Sequence, residues 1–370
     1  MPGDVGEHER EMSIFEQMAS YEHEQLIFCM EPRAGLRAII AIHDTTLGPA
    51  LGGVRMWMYS SEQEAIEDSL RLSRAMTYKA AVAGLNLGGG KAVIIGDPRT
   101  QKSEMLFRAF GRFVETLGGR YITAEDVGTT VADMEWIRME TRYVTGVLGK
   151  SGDPSPFTAH GVYWGMKACA KVAFGSDSLA NRTVVVQGAG NVARHLVEYL
   201  VREGVRVYVS DVFPEKAQRL CHEVGGIPVE ADAVYDIPCD IFSPNALGGM
   251  INEETIPRLQ CAIVAGAANN PLRDEHADAR RLHERGILYA PDYVINAGGL
   301  MNVAAELEGN YDPKAVMART AHIYDTLLRV FRIANERGIL PTEAAAAMAE
   351  ERLAAFASLR RLFPGGQVKR

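Results

Sequence analysis

Apolar residues in this chain fall into short runs separated by helix-length segments in which they recur every three or four places, as in layered α/β proteins. Residues 1 to about 20 read as a polar lead-in and a short helix. Leu26-Ile27-Phe28-Cys29 and residues 36–43 read as strands. Residues 47–53 contain Gly48, Pro49, Gly52 and Gly53 and read as a loop. Ser61 and Glu64 form a capping-box signature. The helix that follows is expected to bury Ile66, Leu70 and Met76 and to end near Lys79, where the helix dipole favours a cation. Gly88-Gly89-Gly90 then reads as a turn that delivers Lys91 to the buried strand Ala92-Val93-Ile94-Ile95. Ser103 is placed to cap a helix carrying Leu106, Phe110, Phe113, Val114 and Leu117, which Gly118-Gly119 stops. Tyr121-Ile122-Thr123 is a short strand with Glu125 and Asp126 at its end. Period-two geometry points those two carboxylates in opposite directions. Thr130 starts a helix to about 141.

Gly149, Gly152, Pro154 and Pro156 mark a domain boundary, giving domains of 1–148 and 149–337. A helix over 158–172 leads into the second. There the strand 183–187 runs into Gly188-Ala189-Gly190-Asn191-Val192-Ala193, a helix to about 203, a strand over 205–209, and Asp211. This is G-x-G-x-x-A between strand and helix, with an acid 23 residues after the first glycine, the arrangement that binds a dinucleotide. The pyrophosphate would rest on the helix N-terminus. Asp211 would accept hydrogen bonds from the ribose hydroxyls and repel a 2'-phosphate, which favours NAD over NADP. Further strands over 239–242, 261–265 and 287–290 complete a parallel, doubly wound sheet. Long helices follow over 300–308, 313–337 and 342–362. The fold class is therefore α/β, with two domains.

The chain has 370 residues, 47% apolar and 23% charged, with a net charge of −8. That balance suits a globular protein and argues against a nucleic-acid surface. No apolar run reaches membrane-spanning length, and the N-terminus lacks a signal-peptide core. Cys29, Cys169, Cys221, Cys239 and Cys261 are scattered and odd in number, which suits a reducing cytoplasm and small buried hydrophobes. The nine histidines show no metal-ligand spacing, so no metal site is expected.

Several stretches together resemble the glutamate/leucine/phenylalanine/valine family of amino acid dehydrogenases, over about 24–353. They are Leu51-Gly52-Gly53-Val54-Arg55-Met56, the stretch from Lys79 to Lys91, Gly96-Asp97-Pro98, Tyr121-Ile122-Thr123-Ala124-Glu125-Asp126, and Pro291-Asp292-Tyr293-Val294-Ile295-Asn296-Ala297-Gly298-Gly299. The leucine-oxidising members match best. The resemblance implies NAD-dependent, reversible oxidative deamination of leucine and other branched aliphatic L-amino acids to 2-oxo acids and ammonia. It also implies a homo-oligomer, often an octamer. The C-terminal helix, about 338–370, is expected to return to the first domain.

Residue by residue, the resemblance makes Lys79 the clamp for the substrate carboxylate, Lys91 the base and Asp126 the proton shuttle. A lysine base needs its ordinary pKa of about 10.4 depressed, by burial and by a nearby cation; the counterpart of Lys79 supplies that cation in the family. For Asp126 the plain alternative is a strand-end carboxylate in a surface ion pair. Gly52 and Gly53 would let substrate lie against the backbone. Asn269 would bridge substrate and nicotinamide. Thr158, Val212, Asn245, Ala246, Ala267 and Ala268 join Gly188–Ala193 and Asp211 around the cofactor. Leu51, Ala124, Leu300 and Val303 would line an apolar side-chain pocket with nothing to meet a γ-carboxylate. Ala124 points to aliphatic substrates and Leu300 to aromatic ones. Two rivals stay open: an aromatic-preferring enzyme of the same fold, and a catalytically idle NAD-binding protein. Retention of Lys79, Lys91 and Asp126 argues against the second.

Overall fold

The computed structural model describes residues 12–246, 248–309 and 311–358. The lead-in expected over 1–11 and the last helix beyond 358 lie outside the described residues. Contacts divide the rest into two units. One holds the residues up to Thr77 with Leu87–Val144; the other holds Tyr78–Asn86 and the residues from Thr145 onward.

The first unit runs α1 (Ile14–Ser20), β1 (Gln25–Glu31), β2 (Leu36–Asp44), β3 (Ala50–Trp57), α2 (Glu62–Val82, whose end falls in the second unit), β4 (Gly88–Ile95), α3 (Glu104–Thr116), β5 (Tyr121–Glu125) and α4 (Val131–Arg138). Its strands form one sheet in the order β1-β2-β4-β3-β5. β2 runs antiparallel to both neighbours, and β3 is parallel to β4 and β5. Ala65, Ile66 and Leu70 of α2 pack on Ile39, Ala41 and Val93, while Met76 stays half-buried. Ser61 accepts the Glu64 N–H at 3.1 Å, as the capping signature predicts. The Glu64 carboxylate, however, turns to Ser60, accepting its N–H at 2.6 Å and its hydroxyl at 2.7 Å. Ser103 and Thr130 cap α3 and α4.

Both glycine-rich stretches differ from expectation: they are strand, not loop or turn. Ala50 to Gly53 open β3, and Gly88 to Gly90 open β4. The glycines are there because neighbours press on them. A Cβ on Gly52 would lie 1.6 Å from the Gly90 carbonyl oxygen. One on Gly89 would lie 2.2 Å from Thr77 Oγ1, and one on Gly90 2.7 Å from the Tyr121 ring. Composition signals a loop in the same way whether glycine serves a turn or close packing within a sheet.

The second unit contains α5 (Ser155–Phe174), β6 (Thr183–Gln187), α6 (Asn191–Arg202), β7 (Arg206–Ser210), α7 (Pro214–Val224), β8 (Ile227–Pro228), β9 (Ile241–Pro244), β10 (Ile263–Val264), α8 (Glu275–Glu284), β11 (Leu288–Tyr289), α9 (Asp292–Ile295), α10 (Gly298–Leu307), α11 (Pro313–Ala321), α12 (Ile323–Arg337) and α13 (Pro341–Ala357). All six strands are parallel, in the order β11-β10-β9-β6-β7-β8. The chain winds outward in both directions from β6, which is the doubly wound pattern. α5 starts three residues earlier than expected, at Ser155, so Thr158 lies inside it. The single helix expected over 313–337 is broken at His322, whose N–H turns to the Arg319 and Thr320 carbonyls. α13 reaches the 78–86 stretch: Glu350 accepts the Tyr78 hydroxyl at 2.9 Å, and Arg352 donates to the Ala81 carbonyl at 2.9 Å and to Asn86 Oδ1 at 3.1 Å.

Beneath α2 in the first unit lie two histidines with rings 4.8 Å apart. His43 joins Thr77 Oγ1 and the Tyr21 carbonyl, both at 2.8 Å, and His23 joins Ser73 Oγ at 2.8 Å. Burial pushes both down to about 4, and His23 is lowered further by its neighbour His43. The unfolded chain takes up these protons near pH ~6.5, whereas the folded chain resists until about pH 4. Stability is therefore complete above the unfolded value and falls as pH drops through that window. A His23→Asn/His43→Asn double variant should show a flatter loss of urea midpoint between those two pH values than the parent. Parallel slopes would contradict the assignment.

Candidate active site

β3 lies between β4 and β5. The registers Leu51↔Gly89, Val54↔Ala92 and Gly53↔Ala124 set Lys91, Gly53 and Ala124 abreast on one face, and period two adds Leu51, Arg55 and Asp126 to it. Lys91 Nζ meets Asp126 Oδ2 at 2.8 Å, so the pair bridges over β3 at Gly53. A Cβ on Gly53 would stand 2.8 Å from the Asp126 Cβ and 2.5 Å from the Glu125 carbonyl oxygen. The missing side chain is what leaves room for the pair. Glu125 points away and is exposed.

The turn after β5 holds Asp126 still. Its N–H donates to Thr129 Oγ1 at 2.9 Å, and that hydroxyl donates to the Val54 carbonyl at 2.9 Å. Gly128 has φ 80°, and its missing Cβ would fall 2.0 Å from the Met56 carbonyl oxygen. Asp126 Oδ2 also accepts Arg55 Nε at 3.1 Å. Arg55 Nη1 reaches Asp68 Oδ2 at 3.0 Å, and that same oxygen accepts the Tyr59 hydroxyl at 2.7 Å. Charges thus alternate from Lys91 through Asp126 and Arg55 to Asp68.

The Lys91 side chain is 6% exposed and that of Asp126 19%, so the pair meets solvent through the carboxylate. Burial pulls Lys91 below the usual lysine value; Asp126 partly restores it, and Arg55 pushes it down again. For Asp126, burial favours the neutral acid, but Lys91 and then Arg55 together outweigh it and hold the carboxyl below its usual range. Arg55 is thus a cation acting on Lys91, and sequence reading quoted it in a motif but gave it no role. Strand alternation from Gly53 was the available signal, hidden because residues 47–53 read as a loop. Asp68 and Tyr59 carried no signal at all.

The other candidates fall on several elements. Lys79 is half-buried in the last turn of α2. Leu51 and Ala124 are buried in β3 and β5, and Gly52 lies on the opposite face of β3 from Gly53. In the second unit, α10 packs on α5; α10 carries buried Leu300 and half-buried Val303, and a Cβ on Gly299 would lie 2.7 Å from Thr158 Oγ1. Asn296, also given no role from sequence, donates to the Ala267 carbonyl at 3.1 Å and to Asn269 Oδ1 at 2.8 Å, orienting that amide. Asn245 Oδ1 accepts the Ala267 N–H at 3.1 Å, tying the loops after β9 and β10 together.

The turn after β6 fits a dinucleotide. Gly188 has φ 102°, and Asn245 and Ala246 crowd the place of its Cβ. Gly190 starts α6 without a side-chain cap, and a Cβ there would meet nothing within 4 Å. Open space therefore faces uncapped N–H groups at Asn191, Val192 and Ala193, which suits a phosphate. Asp211 accepts the Ala189 N–H at 2.9 Å and the Phe213 N–H at 3.0 Å, fixing its carboxylate beside the turn, with Val212 exposed next to it. Among the described residues, no group of three or more His, Cys, Asp or Glu could hold a metal ion.

Residues 23–143 match the family described as Glu/Leu/Phe/Val dehydrogenase, dimerisation domain, and residues 215–360 match Glutamate/Leucine/Phenylalanine/Valine dehydrogenase. The chain belongs to this family of amino acid dehydrogenases. It is 58% identical over 355 residues to a leucine dehydrogenase of Thermoactinomyces intermedius, covering 95% of this chain and 96% of that one. It is 48% identical over 364 residues to a phenylalanine dehydrogenase of Bacillus thermotolerans, covering 96% and 94%. The crystal structure of L-tryptophan dehydrogenase from Nostoc punctiforme superposes with a TM-score of 0.82 at 46% identity, covering 93% of this chain and 100% of that one. Lys91 and Asp126 fall inside the first family match, and Asn269, Leu300 and Val303 inside the second. The Gly188 turn and Asp211 lie between the two.

Gly53 gives the most direct test of this dehydrogenase geometry. Gly53→Ala puts a methyl where Asp126 and the Glu125 carbonyl already stand. Overpacking should cost about 1–3 kcal/mol of stability, and displacing Asp126 should lower kcat far more than that loss accounts for. A variant with parental kcat would show that the pair does not depend on this gap.

Proposed function

We propose that this chain catalyses the NAD-dependent, reversible oxidative deamination of L-leucine and other branched aliphatic L-amino acids, giving 2-oxo acids and ammonia. The observation that carries the proposal is the buried Lys91 ammonium 2.8 Å from Asp126. A dinucleotide at the Gly188 turn would supply the hydride acceptor. In its neutral form Lys91 takes a proton from the water that adds to the substrate imine, the task its burial suits it for. Asp126, the more exposed partner, moves protons between the departing amine and the carbinolamine hydroxyl. Lys79 holds the substrate carboxylate, the role the resemblance assigns it. Asn269, set by Asn296, meets substrate and nicotinamide. NAD is preferred because a carboxylate at Asp211 repels a 2'-phosphate.

Leucine is favoured over phenylalanine by the higher identity to the leucine enzyme and by the methyl of Ala124, which crowds an aromatic ring. Leu300 is the feature that favours the aromatic alternative. The matched dimerisation domain supports a homo-oligomer, proposed as an octamer. Five free cysteines support a reducing cytoplasm. No described helix is long and apolar enough to cross a membrane.

A panel of leucine, isoleucine, valine, phenylalanine and glutamate, each with NAD and NADP, tests the proposal through reduced-cofactor absorbance. The highest kcat/KM should fall on an aliphatic substrate with NAD. The highest value on phenylalanine, or with NADP, would overturn the corresponding part.

Arg55 offers a second test through pH. Its charge lowers the Lys91 pKa, and a base must be neutral to act, so Arg55→Gln should move the ascending, acid-side limb of kcat/KM to higher pH, and Arg55→Lys should restore it in part. Lys91→Ala should keep NAD binding and lose about 100-fold or more in kcat, the scale of a lost general base. An unmoved limb, or near-parental kcat, would remove these residues from the mechanism.

A further inference from the structure

β9 and β10 are preceded by two cysteines that sequence reading took for inert core. The register Ile241↔Ile263 extends backward along the same ladder. The Cys239 N–H donates to the Gln260 carbonyl at 3.0 Å and the Ala262 N–H to the Asp240 carbonyl at 3.2 Å. Cys239 therefore lies directly opposite Cys261, and parallel partners point the same way. Both cysteines pack against one apolar cluster that includes Tyr235, Ile256 and Leu259. Neighbouring strands lie about 4.8 Å apart, inside the Cα separation of roughly 4.4–6.8 Å that a disulfide spans. Both cysteines are only partly buried, so a small reagent can reach them.

The two thiols differ in character. Arg285 is anchored over this end of the sheet, donating to the Leu259 carbonyl at 3.0 Å and to that of Ile256. Cys261 accepts the Cys239 S–H, which lowers its pKa, and the Arg285 guanidinium lowers it further; the same hydrogen bond raises Cys239. A thiol held near a guanidinium, with a second thiol beside it, is the arrangement of a reactive cysteine and its resolving partner.

We propose that Cys239 and Cys261 form a redox-active dithiol that reacts with low-molecular-weight disulfides and closes to an intrachain disulfide. Cys261 Sγ attacks one sulfur of the reagent, forming a mixed disulfide and releasing one thiolate, which takes up a proton. Cys239 then loses its proton to water and attacks Cys261 Sγ, releasing the second thiol. Two protein thiols are oxidised, and one small disulfide is reduced to two small thiols.

The test treats the folded, reduced protein with 2-hydroxyethyl disulfide, quenches with iodoacetamide in denaturant and maps peptides without reduction. Both thiols should be lost together as a Cys239–Cys261 bridge, while Cys29, Cys169 and Cys221 are alkylated. Cys239→Ala should stop at a stable mixed disulfide on Cys261, and Cys261→Ala should leave Cys239 alkylated. If either variant fails to fold, the wild-type map alone decides. A wild-type mixed disulfide that does not close, or both cysteines alkylated as fully as Cys221, would overturn the proposal.

Discussion

The first unit is organised around a buried ion pair that crosses a strand. Burying a lysine ammonium and a carboxylate costs several kcal/mol per ion unless geometry and further hydrogen bonds compensate. Lys91 and Asp126 are compensated by direct contact at 2.8 Å and by Arg55 on the far side of the carboxylate. That solution constrains the surrounding sheet. Gly53 has to lack a side chain so the pair can bridge. The turn at 126–129 has to be pinned to β3, which Thr129 and Gly128 achieve. Arg55 in turn needs Asp68 on α2, whose carboxylate also takes the hydroxyl of Tyr59 from the segment before that helix. The residual burial is what suits Lys91 to act as a base, so the same energetic cost that threatens the fold underlies the proposed chemistry.

The second unit solves a different problem with local means. Its dinucleotide turn needs only a positive-φ glycine, open space at Gly190 and an acid held by two backbone N–H groups. These requirements are all met between Gly188 and Phe213, which is why the pattern around Gly188 and Asp211 is visible without a structure. The cross-links among Asn245, Ala267, Asn296 and Asn269 join loops up to about 50 residues apart in sequence, and no local pattern announces them.

That contrast explains what the sequence made legible. Strand β6, helix α6, the caps at Ser103 and Thr130, and the parallel doubly wound sheet follow from short-range periodicity and were expected correctly. The glycine stretches were placed in the right part of the chain but in the wrong structure. Gly52 and Gly89 are glycines because of Gly90 and Thr77, and such long-range steric reasons look identical to turn signals in one dimension. Arg55 was missed for the same cause, since the loop expected over 47–53 left the residue just beyond it with no strand, and so no face, to belong to. The break at His322 was also invisible, because the apolar period continues through it.

The central claim is that burial and Arg55 lower the Lys91 pKa while Asp126 opposes them. A carbon-13 titration of labelled lysine Cε in the folded protein measures this directly. The wild type should show one lysine resonance titrating below the ordinary value of about 10.4, absent from Lys91→Met. That titration should move lower still in Asp126→Asn and higher in Arg55→Gln. A Lys91 resonance with an ordinary midpoint, unmoved by either substitution, would contradict the account.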